Sequence, residues 1–205
     1  MSLGYLENLV QEAAAAGRSF DFGCDEVELD YLAKLASHPE IRIIGETGFN
    51  AGFSSYAFLC ASPGSQVYSF DLAEFDYTAA AKKYIDDNFA GRHVLVRGDS
   101  RQTVPEFSQE NPGLRLDLIF IDGGHTYEVA RADLRNMRAM ATRETILVVD
   151  DIMPWKPCGV GPARAWLEAV REGLVIQEEL IKEGLPVTAI EPPGDRLWVA
   201  GRYNM

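Results

Sequence analysis

The sequence predicts an α/β fold: a doubly wound, mostly parallel, seven-stranded sheet with two extra helices before it and an antiparallel hairpin at its C-terminal end. Three observations predict it. Short apolar runs alternate five times with stretches of helical periodicity, the pattern of strand–helix–strand crossovers in a parallel sheet covered on both faces. The first run, Ile41–Gly45, leads through a glycine-bearing turn into a helical pattern, and such a turn lets backbone approach a ligand that faces free helix N–H groups. Finally, the turn Glu191 to Asp195 is too short for a crossover, so its flanking strands must be antiparallel.

The elements follow in order. Leu6, Leu9, Val10 and Ala13 to Ala16 recur at helical spacing between Gly4 and Gly17, as do Val27, Leu29, Leu32, Leu35 and Ala36 between Cys24 and Ser37. These two helices form an N-terminal extension, 1–39, expected to pack over a sheet edge or partly cover the site. His38-Pro39 breaks the pattern, and the core, 40–205, begins. Strands are expected at Ile41–Gly45, Gln66–Phe70, His93–Arg97, Leu116–Ile121 and Thr145–Val149, with helices starting near Ala51, Tyr77, Arg101 and Thr126. Pro162–Arg171 reads as a further helix, and Leu185–Ile190 and Arg196–Tyr203 as the terminal hairpin. At 205 residues the chain is long enough for one well-buried domain and short for two.

Composition excludes several functions. A net charge of −12, from 31 acidic and 19 basic residues, repels phosphate backbones, so no nucleic-acid partner is expected. No segment approaches the roughly 18 uninterrupted apolar residues of a membrane helix, and the first residues lack the basic and apolar regions of a signal peptide. A cytoplasmic setting is the expectation. Cys24, Cys60 and Cys158 are too few and scattered for a disulfide framework or a zinc knuckle and read as reduced thiols.

In a doubly wound sheet, ligands bind beyond the carboxyl ends of the strands, where strand order reverses. This chain places a carboxylate at every such end: Glu46 after the first strand, Asp71 after the second, Asp99 after the third, Asp122 after the fourth, and Asp150 with Asp151 after the fifth. The motifs there are ExGxxxG, a closing acid, GDS, FIDGGHTY and VVDD. Together they resemble the class I S-adenosylmethionine-dependent methyltransferases, whose fold is Rossmann-like, and the longer run FIDGGHTYEVARADL resembles their small-molecule branch of cephalosporin-tailoring and rhamnosyl O-methyltransferase-like proteins. The resemblance spans Ile41 to Tyr203.

The resemblance implies S-adenosylmethionine as cofactor and the hydroxyl of a small molecule as acceptor. Gly48 and Gly52 would bring the loop close to the methionine portion, with Phe49 and Asn50 in the same loop. Asp71 would accept the ribose hydroxyls, as an acid after the second strand does in dinucleotide folds. Glu46 would sit near the methionyl end, Asp99 and Ser100 would border the adenine, and Asp122 would join the cofactor set. Other readings stand beside these: Gly48 and Gly52 as a tight turn alone, and Ser100 as a helix cap.

Asp122, Asp150 and Asp151 form a second constellation. Carboxylates converging at neighbouring strand ends repel one another without a cation, and hard oxygen donors suit Mg²⁺, Ca²⁺ or Mn²⁺. In the catechol and caffeoyl-CoA O-methyltransferases, which this pattern resembles, two acids and a following Asn or Asp hold the ion. The competing reading has Asp150 capping a turn and Asp151 in solvent. His125 occupies the place of those enzymes' basic Lys and, with an ordinary pKa of about 6.5, is a candidate general base beside Asp122. Contact with the cofactor, ion ligation and helix capping are its other readings. Trp155, in the proline-bearing loop after the aspartates, reads either as a wall of the acceptor pocket or as core packing, while Trp166 and Trp198 are assigned to packing.

Two other functions share these features. A nicotinamide-dependent oxidoreductase would use the same sheet and acid, but GxGxxG is missing. A non-catalytic S-adenosylmethionine-binding protein would keep the cradle without turnover. A homodimer through the N-terminal helices is a further expectation.

Overall fold

The structure is a computed structural model that describes residues 3–20 and 23–205. Helices α1 (Gly4–Ala15) and α2 (Glu26–Ala36) precede β1 (Ile43–Thr47). Then come α3 (Phe53–Ala61), β2 (Gln66–Asp71), α4 (Thr78–Asn88), β3 (His93–Arg97), α5 (Ser100–Glu110), β4 (Leu118–Ile121), α6 (Tyr127–Met137) and β5 (Ile146–Val149). After α7 (Val160–Arg171), the chain ends in β6 (Val175–Lys182), β7 (Leu185–Pro186) and β8 (Leu197–Tyr203).

Among the described residues, the strands join one eight-stranded sheet in the order β3-β2-β1-β4-β5-β8-β6-β7. The first five are parallel, and β8, β6 and β7 add antiparallel pairs. Strand order reverses between β1 and β4, so the crevice beyond their carboxyl ends is the expected ligand position.

The α/β class and terminal antiparallel strands match the expectation, but the count is eight rather than seven and the hairpin is built differently. Strand β6 carries Gln177, Glu178 and Glu179 in its middle, and a register shift between Gln177 and Glu179 breaks its alternation, so no period-two pattern advertises it. The expected strand Leu185–Ile190 shrinks to Leu185–Pro186 at the sheet edge, where a proline is tolerated. It turns back on β6 through Glu183 and Gly184, while β8 inserts between β5 and β6.

Each face of the sheet buries its own apolar layer. On one, α1 and α2 contribute Leu6, Val10, Leu29 and Leu32 to a core that reaches Phe58, Phe120 and Trp198. On the other, α5, α6 and α7 enclose Phe70, Leu116 and Trp166. Trp166 and Trp198 are fully buried, in keeping with a packing role. The extension is anchored by a Tyr5–Tyr84 stack at 4.7 Å between α1 and α4, and by a 2.9 Å hydrogen bond from Tyr31 of α2 to Glu179 of β6. No described helix is long and apolar enough to cross a membrane.

Candidate active site

The turn after β1 is shaped by two glycines and by Asp71. Gly48 has φ +90°, and a Cβ there would lie 2.0 Å from the Asp122 carbonyl oxygen, so only glycine lets the β1 and β4 loops touch. Asp71, last in β2, accepts from the Phe49 and Asn50 N–H groups through Oδ2 at 2.7 and 3.0 Å, and from the Ala73 N–H through Oδ1 at 2.6 Å. Of about four acceptor positions on a carboxylate, three are spent on backbone. One, on Oδ1, is left, where the expected contact with the ribose hydroxyls asked for two. Gly52 starts α3 at φ +79° and packs beneath the Phe49 ring.

Glu46 does not face the cleft. Its carboxylate is fully buried and accepts from Ser54 and Ser69 at 2.6 Å each and from Ser55, and Ser69 continues to His93 Nε2 at 2.8 Å. Burial pushes its carboxyl up to about 7 even though the three hydroxyls favour the charged form. Ser54 lines the larger cavity, and Glu46, expected there, stands behind it and holds Ser54.

Two cavities meet at these loops. One, of about 300 Å³, is bordered by Asp71, Leu72, Phe75, Asp99, Ser100 and Arg101. The other, of about 410 Å³, is bordered by Ser54, Asp151, Met153, Lys156, Cys158 and Arg196. Gly48, Asn50, Asp122, Gly123 and His125 belong to both and form the shared wall. Asp99 caps α5 by accepting from the Arg101 N–H at 3.0 Å, and hydrogen bonds from Arg101 hold its carboxyl below the usual range. Ser100 is thus the first helical residue and not the cap.

At the shared wall, His125 Nε2 lies 2.8 Å from Asp151 Oδ2 and 3.9 Å from Asp122 Oδ1. One donor atom from each of Asp122, His125 and Asp151 falls within 4.8 Å of the others. Hydrogen bonds to Asp122 and Asp151 push His125 up to about 11, so in this array it is an imidazolium at neutral pH and not the free base the sequence reading allowed. The helix-cap reading of His125 also fails, because the Thr126 side chain caps α6.

Asp150 is not a member of this group, contrary to the expected trio. The backbone leaves β5 and turns at Asp151, whose φ is +59°, so Asp150, 2% exposed, lies beside Glu28 of α2 while Asp151 lines the cleft. Burial, with Glu28 and then Asp122, pushes the Asp150 carboxyl well up. Glu28, fully buried on α2, neighbours it, and burial, with Asp122 next, pushes the Glu28 carboxyl up to about 8. Arg196 lies 3.7 Å from Asp150 and donates to the Gly23 carbonyl at 2.6 Å. Cys24 donates to Asp122 Oδ2 at 3.7 Å, and Cys158 to Asp151 Oδ1 at 3.8 Å.

The sequence reading missed Cys24, Glu28, Cys158 and Arg196, and no local pattern marks them. One signal was available: a glutamate on the otherwise apolar face of α2, where Leu29, Leu32 and Ala36 are buried. Trp155 borders neither cavity; its indole N–H donates to Gly194 at 2.9 Å and ties the loop after β5 to the turn before β8.

A family model described as a methyltransferase domain matches residues 46–152, more than half of the chain and every loop just described up to Asp151. The chain belongs to this methyltransferase family. Solved structures share the fold of the methyltransferase. The O-methyltransferase from Bacillus cereus in complex with SAH superposes with a TM-score of 0.74 at 19% identity, covering 98% of this chain and 92% of that one. TomG from Streptomyces achromogenes, an O-methyltransferase of tomaymycin synthesis in complex with SAM, gives 0.72 at 19%, covering 97% and 89%. CalS11, a TDP-rhamnose 3'-O-methyltransferase of calicheamicin biosynthesis, gives 0.65 at 22%, covering 87% and 78%. No curated protein sequence matches the chain.

Proposed function

We propose that this methyltransferase transfers the methyl group of S-adenosylmethionine to a hydroxyl oxygen of a small molecule. The observation that carries the reading is the pair of cavities with a common wall, where Gly48, Asn50, Asp122 and His125 border both. One cavity receives the adenosine, with the spare acceptor position of Asp71 on the ribose and Asp99 and Ser100 beside the base. The other receives the acceptor, between His125, Met153 and Cys158. The similar structures bound to SAM or SAH support the choice of cofactor.

The cofactor supplies a methyl group on a positively charged sulfonium. When bound, it would give that methyl to the acceptor oxygen, the O–C bond forming as the C–S electron pair returns to sulfur, and would leave as S-adenosylhomocysteine. The chain's own residues do the rest. The loop around Gly48 and the Asp122 backbone keep donor and acceptor in line, and such orientation supplies up to about 7 to 11 kcal/mol of barrier lowering. The charged His125 donates a hydrogen bond to the acceptor oxygen, and a carboxylate of Asp122 or Asp151 takes the proton of the acceptor hydroxyl. With the His125 proton released, the donors Asp122, His125 and Asp151 also fit a divalent cation, which when bound would acidify the acceptor hydroxyl in place of the imidazolium.

Calorimetry with S-adenosylhomocysteine tests the reading. Binding is expected, and Asp71→Ala should weaken it at least tenfold, because the loop loses two N–H partners with the ribose contact. Binding of NADH in its place would overturn the cofactor assignment. Binding of the homocysteine without turnover on any hydroxylated acceptor would make it a carrier.

A further inference from the structure

We infer that the cation site of this chain selects a first-row transition ion of the Zn²⁺ or Co²⁺ kind over Mg²⁺, with His125 as its nitrogen ligand in place of Asp150. The inference deepens the proposed cation reading and stands on which atoms the fold gathers.

Three aspartates would make an oxygen-only site, the kind that suits Mg²⁺ or Ca²⁺. The fold does not assemble it. Asp150 is turned to the buried side beside Glu28 and Arg196, and the donors that share one small volume are a carboxylate oxygen of Asp122, one of Asp151 and the imidazole of His125. Ligand atoms about 2.1 Å from a shared ion sit roughly 3.0 to 3.4 Å apart in octahedral or tetrahedral arrangements. The His125 Nε2 separations of 2.8 and 3.9 Å bracket that range, so small side-chain rotations, chiefly of the more exposed His125, suffice. Imidazole is a poor donor for Mg²⁺, which keeps oxygen ligands, and a good one for Zn²⁺, Co²⁺ and Ni²⁺.

The surroundings favour the same choice. The thiols of Cys24 and Cys158 donate to Asp122 and Asp151 at 3.7 and 3.8 Å, so each carboxylate is steadied by sulfur beside the proposed site. Groups hydrogen-bonded to ligands in this way orient them and tune affinity.

The test is direct ion binding in the full chain without cofactor, so that it does not depend on methyl transfer. Calorimetry is run with Zn²⁺ and with Mg²⁺, and the visible d–d absorption of Co²⁺ is followed on titration. Zn²⁺ and Co²⁺ should bind at least a hundredfold more tightly than Mg²⁺. His125→Ala should lower Co²⁺ affinity at least tenfold, Asp150→Asn should leave it within threefold, and His125→Asp, which restores an all-oxygen set, should move the preference toward Mg²⁺. S-adenosylhomocysteine binding by each variant checks that the cleft is intact and reports separately on the cofactor reading. Equal affinity for Mg²⁺ and Co²⁺, or loss of binding in Asp150→Asn with His125→Ala unaffected, would return the site to the three aspartates. If no ion binds saturably to a chain that binds the homocysteine normally, the array is a plain ion pair and the inference is wrong.

Discussion

His93 and His125 are driven in opposite directions by the same fold. His93 opens β3, is 5% exposed, and has its Nε2 on the hydroxyls of Ser55 and Ser69; burial, with help from Lys82, pushes it down to about 3. His125 follows β4 at the cleft wall, and its hydrogen bonds to Asp122 and Asp151 push it up to about 11. Neutral hydroxyls do not offset the cost of burying a cation, whereas carboxylates do. The Glu46 cluster is therefore a packing device that happens to be polar, and the Asp122 cluster is an open charged array suited to chemistry.

Three measurements test that division, the largest effect first. His125→Ala should lower turnover by about a hundredfold or more, the usual range for a group that handles a proton or orients a nucleophile, while the thermal midpoint stays near that of the parent. Turnover close to the parent value would leave His125 an ion-pair partner and no more. Glu46→Ala should act the other way, costing about 3 kcal/mol of stability by stranding the Ser54, Ser55 and Ser69 hydroxyls and opening a cavity. Denaturant unfolding measures it, and an unchanged midpoint would remove the structural role.

The smallest effect is a pH dependence. The Glu46 carboxyl is raised in the folded state from 4.5 to about 7, so it holds its proton more tightly folded than unfolded. Its contribution is fully present below pH about 4.5 and is lost as pH rises through about 7. Replacement by glutamine abolishes that titration. The unfolding free energy of the parent relative to Glu46→Gln should therefore fall between pH 4.5 and 8, by on the order of 2 kcal/mol. His93 in both proteins works oppositely, its folded state losing stability as pH drops below about 6.5, and so cancels in the difference. A flat or rising difference would show that the serines keep Glu46 ionised at all these pH values.

Much of the fold was legible because the parallel core strands are short apolar runs between helical patterns, and both signals are local. Strand β6 was not, since its polar middle and bulge remove the alternation that marks a half-buried strand. Of the site, the positions of Gly48, Asp71, Asp99, Asp122 and Asp151 at strand ends could be read directly. Asp150 and Glu46 carry the same residue types at the same kind of position, yet one faces α2 and the other three serines. Composition and spacing do not encode a side chain's direction.

By itself, the sequence determined the class of fold, the order of its elements through β5, and the row of acids along one rim, because alternation of apolar runs and the residue at a strand's end are properties of neighbours in the chain. Only the tertiary structure decided which acids meet. Cys24 reaches the cleft from the segment before α2, Glu28 lies behind it on α2, and Arg196 comes from a turn near the end of the chain, so their partnership with Asp122 and Asp150 exists only once distant segments are packed together. Proton affinity and charge follow from that packing, since burial and the nearest carboxylate set them and neither is a local quantity.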